Sequence, residues 1–289
     1  MYTLKIQNAA GELFELTHNR SQYSLIHVTG LTPPKANINT SVAGTIDGAF
    51  YNSARVNMRN IVLTIVIEGD IETNRQQLYR IFPVKSPCTV FFKNENMDVQ
   101  ISGYVELVDG DLFSMREQMQ ISILCPRPYW STLGLVAYEL STTVAMFEFP
   151  FSIAANPGVA ISEYTQQPTI KIYNSGSVPC GFTADIEIAS GSQGITSLTL
   201  YNLTTQKKIG ILGSVTLAAT DKVHISTVPG SLTISMEQDG TKTNLINSMI
   251  DGSEFFNLAL GENILYFSCT GDIDDVDINI VPSFLFAGV

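Results

Sequence analysis

At roughly 150 residues per domain, 289 residues give two domains that can each close a core, which excludes a single small stapled module. Hydrophobic residues make up 45% of the chain and mean hydropathy is +0.16, yet the longest run of apolar residues and threonine, 61–67, falls far short of the roughly 20 residues a membrane-spanning helix needs. Only 15% of residues are charged, with a net charge of −11, against about a quarter in ordinary soluble domains; this points to a surface that is uncharged polar or covered by neighbouring subunits.

The first eight residues alternate apolar and polar positions without the apolar core of a signal peptide, so synthesis and retention in a cytoplasm are expected. Tyr2, Leu4 and Ile6 read as a strand, 8–11 as its turn and 13–16 as the returning strand. After a short strand at 23–28, residues 30–48 hold Pro33, Pro34, Gly44 and the turn pair Asp47-Gly48. A loop of that length in a compact domain is usually functional, and it is a candidate arm reaching a neighbour. Strands are expected at 54–58 and 60–68, the latter apolar on both faces and therefore central. One helix is expected at 73–82, capped by Thr73, with Leu78, Ile81 and Phe82 on one face and Pro83 as its stop. Strands follow at 88–93, 99–107 and 115–125, where Glu117 interrupts a face otherwise made by Met115, Met119, Ile121, Ile123 and Cys125. Pro126 and Pro128 cannot donate to a ladder and mark the end of the first domain, at about residue 130.

Beyond 135, strand-like runs at 144–149, 169–173, 184–188, 197–202, 222–227, 232–236, 264–269 and 276–280 recur between turn signals, the pattern of a β-sandwich or jelly roll. Charge divides with the domains: residues 1–130 carry −1 and all seven arginines, residues 131–289 carry −10 and none. Arginine's planar fork suits interfaces, so the first domain reads as the contact-making one. The acidic second domain reads as a solvated appendage, unsuited to binding nucleic-acid phosphates.

The chemistry-bearing residues yield no catalytic set. Cys88, Cys125, Cys180 and Cys269 are far apart and read as small buried hydrophobes. His18, His27 and His224 show no acidic or histidine partner at metal or triad spacing, and no phosphate-cradling glycine loop occurs. Asp272 to Asp277 gathers hard oxygen ligands, but an EF-hand would need Gly and Glu where Asp277 and Ser283 stand, so a solvated strand edge is the better reading. Acidic residues in the second half leave a glycosidic carboxylate pair open. Sugar binding would want an aromatic platform; Trp130 lies at the domain junction, leaving Tyr138, Tyr164, Tyr173 and Tyr201 as substitutes. Neither a metal nor a cofactor is expected.

The series Gly30-Leu31-Thr32-Pro33-Pro34, Asp47-Gly48, Arg59-Asn60-Ile61, Leu78-Tyr79-Arg80-Ile81-Phe82-Pro83, Gly103-Tyr104-Val105-Glu106 and Cys125-Pro126-Arg127-Pro128-Tyr129 resembles the distal tail proteins of phages with long, non-contractile tails. Asn174-Ser175-Gly176-Ser177, Phe255-Phe256-Asn257-Leu258 and Gly261-Glu262-Asn263 resemble that family's C-terminal region. The resemblance implies an all-β chain with one helix: an N-terminal β-sandwich or split-barrel domain, 1–130, that forms rings, and a C-terminal galectin-like β-sandwich (jelly roll), 131–289. It further implies a structural virion protein, not an enzyme. This would be a homohexameric adaptor at the tail tip, between the tail-tube protein and the tail-tip hub or baseplate, with receptor-binding proteins as further partners. Candidate subunit contacts for such a ring are Pro33, Pro34, Asp47, Arg55, Arg59 and Arg127. Two other functions fit the same residues: a carbohydrate-binding or carbohydrate-cleaving host-adhesion protein, and a tail-tube subunit.

Overall fold

A computed structural model describes the chain except residues 1, 17–21, 43, 45–46, 112–113, 115, 135, 140, 146–161 and 167, with backbone alone at 141–145 and 162–166. The described residues form antiparallel sheets and a single α-helix, and they divide into two units, Met1–Gly134 with Leu285–Val289, and Leu135–Phe284. Among them no helix is long and apolar enough to cross a membrane.

The first unit comprises β1 (Thr3–Asn8), β2 (Leu13–Glu15), β3 (Tyr23–Thr29), β4 (Ala36–Ser41), β5 (Phe50–Val56), β6 (Arg59–Ile67), α1 (Ile71–Ile81), β7 (Pro87–Lys93), β8 (Asp98–Gly110), β9 (Gln118–Cys125) and β10 (Trp130–Thr132). Its main sheet runs β2-β1-β7-β8-β9-β6-β3, an open path that does not close into a barrel. The apolar β6 lies between β9 and β3, as its two-sided hydrophobicity requires. The helix starts two residues before its expected position because Asp70, not Thr73, caps it: Asp70 accepts from the Thr73 amide at 3.4 Å and from its hydroxyl at 2.8 Å. Leu78, Ile81 and Phe82 join the sheet core, where Phe14 stands edge-on to Phe82 and Tyr23. Glu117, the acidic exception in its strand face, accepts from Arg75 Nη1 at 2.9 Å and so ties α1 to the sheet.

The prolines after β9 do not end this unit. Trp130 is fully buried, 6.4 Å from Phe92. Ser131 pairs with Gln100 on one side and with Leu285 on the other, while Trp130 pairs with Phe286. The second module, expected at 131–289, therefore begins later and gives up its last five residues: a buried indole needs cover on both sides, and the chain's own end supplies one of them.

The second unit contains β11 (Tyr138–Glu139), β12 (Ser141–Ala145), β13 (Ser162–Gln166), β14 (Thr169–Asn174), β15 (Phe182–Ile188), β16 (Thr196–Asn202), β17 (Lys207–Gly210), β18 (Lys222–Ser226), β19 (Thr233–Gln238), β20 (Thr241–Asn244), β21 (Gly261–Thr270) and β22 (Val276–Pro282). They form a six-stranded sheet, β11-β22-β15-β18-β19-β20, a four-stranded sheet, β14-β21-β16-β17, and the pair β12-β13. Burial alternates along β15 and β22, giving the larger sheet one apolar face (Phe182, Ala184, Ile186; Ile278, Ile280) and one polar face. The strand expected at 144–149 falls mostly outside the described residues.

Candidate subunit contact site: an exposed hairpin and its clamped root

Residues 30–48 are not a simple loop. They lead into β4, which pairs only with β5, making a two-stranded ribbon whose residues are all exposed. The strand expected at 54–58 starts earlier, at Phe50, and stops before Asn57, whose amide donates to Lys35 O and closes the ribbon's base.

The register decides the chemistry of the ribbon. Ala36 faces Val56, Ile38 faces Ala54 and, across a bulge after Asn39, Thr40 faces Tyr51. Without the bulge Asn52 would stand opposite Thr40; the extra residue swings Tyr51 onto the Ile38 side instead. One face is thus Ala36, Ile38, Thr40, Tyr51, Ala54 and Val56, while the other carries Asn37, Asn39, Ser53 and Arg55, with Ser41 and the exposed Phe50 beyond the bulge. Ile38 is 59% and Tyr51 66% exposed. An isolated two-stranded ribbon is marginal in water, so an apolar face left bare by its own chain calls for a partner surface.

The ribbon's root is built in the opposite way. Arg59, where the chain re-enters the main sheet, is 2% exposed and points inward. Its Nε donates to Pro128 O at 2.7 Å, Nη1 donates to Gly30 O and to Thr32 O (2.9 Å), and Nη2 donates to Ala287 O at 2.5 Å. The guanidinium carbon lies 5.6 Å from the centre of the Trp130 ring. Burial pulls the Arg59 pKa below the usual arginine range, with the Cys125 thiol a smaller opposing influence. The C-terminus completes the clamp: Val289 N–H donates to Leu31 O at 3.2 Å, and Gly288 packs so closely on Pro33 that a Cβ there would lie 2.7 Å from the ring. Gly30 is equally constrained, at φ +83° with a Cβ position 2.0 Å from Asn60 O.

Of the expected contact residues, the structure gathers Pro33 and Arg59 at this root, where Arg59 serves its own unit. Pro34 is half-buried beside them, and Arg55 is exposed on the ribbon's polar face. Asp47 is exposed in the bend before β5, and Arg127 is exposed in the turn after β9. The part played by the C-terminal tail is not legible in the sequence, because it acts through main-chain atoms and a glycine, which carry no side-chain pattern.

In the second unit, His224 does have an acidic partner: its Nδ1 lies 2.6 Å from Asp185 Oδ1, 39 positions away but directly opposite in register. Ser235 stands on the other side of His224. That order across three strands is the order of a hydrolytic triad, but the Ser235 hydroxyl makes no hydrogen bond to the imidazole among the described contacts. On a sheet the backbone N–H groups are spent in the ladder, which leaves none to form an oxyanion hole. Asp272 caps a short 3-10 turn by accepting from Asp274 N at 3.1 Å, and among the described residues no group of three or more His, Cys, Asp or Glu side chains is placed to hold a metal ion. His27 is exposed on β3, and His18 lies outside the described residues.

No protein-family model and no curated protein matches the chain. Among solved structures it is similar to the SPP1 Dit (gp 19.1) protein, described as a paradigm of hub adsorption apparatus in phages infecting Gram-positive hosts, with a TM-score of 0.67 and 11% identity over 98% of both chains. It is also similar to a chain of the phage p2 baseplate in its activated conformation with Sr, with a TM-score of 0.50 and 11% identity over 97% of this chain and 98% of that one. At such identity the likeness is one of fold, and this all-β chain with its single helix has the fold of SPP1 Dit along nearly its whole length.

Proposed function

We propose that the chain is a structural virion protein, a ring-forming adaptor at the phage tail tip that joins the tail tube to the hub or baseplate. The observation that carries this reading is the β4–β5 ribbon: one apolar face, wholly exposed, on a root held rigid by Arg59 and the C-terminus. A closed ring is made of heterologous contacts, one patch meeting a different patch on the next copy, and a projecting ribbon with a bare apolar face supplies one half of such a contact. The fold likeness to SPP1 Dit, a protein of a phage hub adsorption apparatus, supports a tail-tip role; the proposal takes the ring to be a homohexamer, made in the bacterial host's cytoplasm and holding receptor-binding proteins at its periphery.

Negative-stain microscopy and sedimentation of the full chain, beside a variant with residues 37–55 replaced by Gly-Gly, test it. Single or paired rings are expected for the full chain and folded monomers for the variant. A full chain that stays monomeric at tens of micromolar overturns the adaptor reading, and long stacked tubes would make it a tail-tube subunit instead.

A further inference from the structure

The polar face of the six-stranded sheet holds a cleft that the adaptor role leaves unused. Two cross-strand rows of side chains line it. One is Glu187, Lys222, Glu237 and Lys242, on four successive strands; the other, one pleat along, is Asp185, His224 and Ser235. The cleft is open, with a volume of about 200 Å³, and its only apolar lining residue is Val223.

We propose that this cleft binds a neutral oligosaccharide. The lining favours that class by elimination and by fit. The apolar surface of the cleft is the aliphatic stems of its Lys and Glu side chains and Val223, edged throughout by charged and polar groups, which suits the C–H faces of a polar ligand better than a wholly apolar one. Both lysines are spent on carboxylates, Lys222 Nζ 2.6 Å from Glu187 and Lys242 Nζ 3.7 Å from Glu237, so a strong anion meets no free cation; the one carboxylate left over, Asp185, is occupied by His224 Nδ1 at 2.6 Å. A row of fixed donors and acceptors alternating at the strand spacing of about 4.8 Å remains, comparable with the length of a sugar ring. Hydroxyl groups, which donate and accept at once, are the ligand groups that satisfy such an alternation. With Nδ1 committed to Asp185, His224 turns Nε2 to the cleft, and the Ser235 hydroxyl beside it can donate or accept. Ion pairing already restrains the long Glu and Lys side chains, which lowers the entropy lost when a ligand orders them.

The competing surface is on the four-stranded sheet, where Tyr201 and Tyr266 stand side by side with ring centres 6.0 Å apart. It offers stacking, and it serves as the internal control. The proposal goes beyond the adaptor reading and does not depend on it, because ring assembly is read separately by sedimentation.

The test is saturation-transfer NMR and calorimetric titration of the full chain with maltohexaose, cellohexaose and chitohexaose, with hexagalacturonate as the anionic comparison. Binding of at least one neutral hexamer is expected, with a Kd on the order of 1 mM, as suits a site that relies on hydrogen bonds. His224→Ala and Glu237→Gln, at half-buried side chains on the sheet's polar face and each checked for folding by its melting curve, should each weaken it at least tenfold, whereas Tyr201→Ala should leave it unaltered. Three results overturn the proposal: no neutral hexamer binds, hexagalacturonate alone binds, or affinity falls with Tyr201→Ala and survives His224→Ala.

Discussion

Replacing Arg59 tests whether the ribbon's root is held as described. In Arg59→Ala, four main-chain carbonyls, of Gly30, Thr32, Pro128 and Ala287, lose their donor at once, and the space beside Trp130 empties. A buried acceptor left without a partner costs about 1–3 kcal/mol, and the lost stacking on the indole adds about 1 kcal/mol. Water entering the vacated space restores part of this, so a net loss of about 4–6 kcal/mol is expected, much of the 5–15 kcal/mol that keeps a domain folded. Arg59→Lys keeps the charge but not the fork, and should lose about half as much. Trp130, the only tryptophan, lies in the first unit, so guanidinium titration followed by tryptophan fluorescence reads that unit alone. A midpoint for Arg59→Ala that differs from the unaltered chain by less than about 1 kcal/mol would refute the clamp.

Gly30→Ala should destabilise the first unit by about 3 kcal/mol or more, since its Cβ meets main chain, whereas Gly11→Ala, also at φ +83° but with nothing within 4 Å, should cost about 1 kcal/mol; equal losses in thermal melts would count against the close approach. Because Ser131 and Leu285 are paired antiparallel neighbours, joining them through Asn-Gly should turn β10 and the C-terminal strand into a hairpin and yield a folded first unit without the second. A fragment of residues 1–130, lacking that strand, should expose Trp130 and unfold earlier; equal stability of the two would show that the tail is dispensable. Burial pushes the thiol of Cys88 up to about 11 and those of Cys125 and Cys180 up to about 12, with the neighbouring Cys88 adding to the rise at Cys125. These groups ionise first in the unfolded chain, so their contribution is complete below about pH 9 and is lost as pH rises toward 12. Denaturation midpoints measured from pH 8 to 11 should therefore fall, less steeply in Cys125→Ala, and Ellman's reagent at pH 8 should label these three thiols only after unfolding; rapid native labelling would contradict their burial.

Local signals in the sequence were enough for the elements whose causes are local. Alternation in Tyr2 to Ile6, the apolar run of β6 and the Leu78-Ile81-Phe82 face with Pro83 behind it each name their element, because side-chain periodicity is fixed by the backbone repeat of a strand or helix. The charge division also was legible, since composition requires no pairing. Tertiary structure alone decided which residues meet across the chain. Asp185 and His224 are 39 positions apart, and Arg59 and Ala287 are 228 apart; nothing near any of them marks its partner. The bulge that turns Tyr51 onto the ribbon's apolar face is a matter of register, and a one-residue slip reverses every face beyond it. Arg59, an interface candidate by residue type, became an internal clamp because carbonyl groups of the main chain surround it, and every residue in the sequence carries one of those.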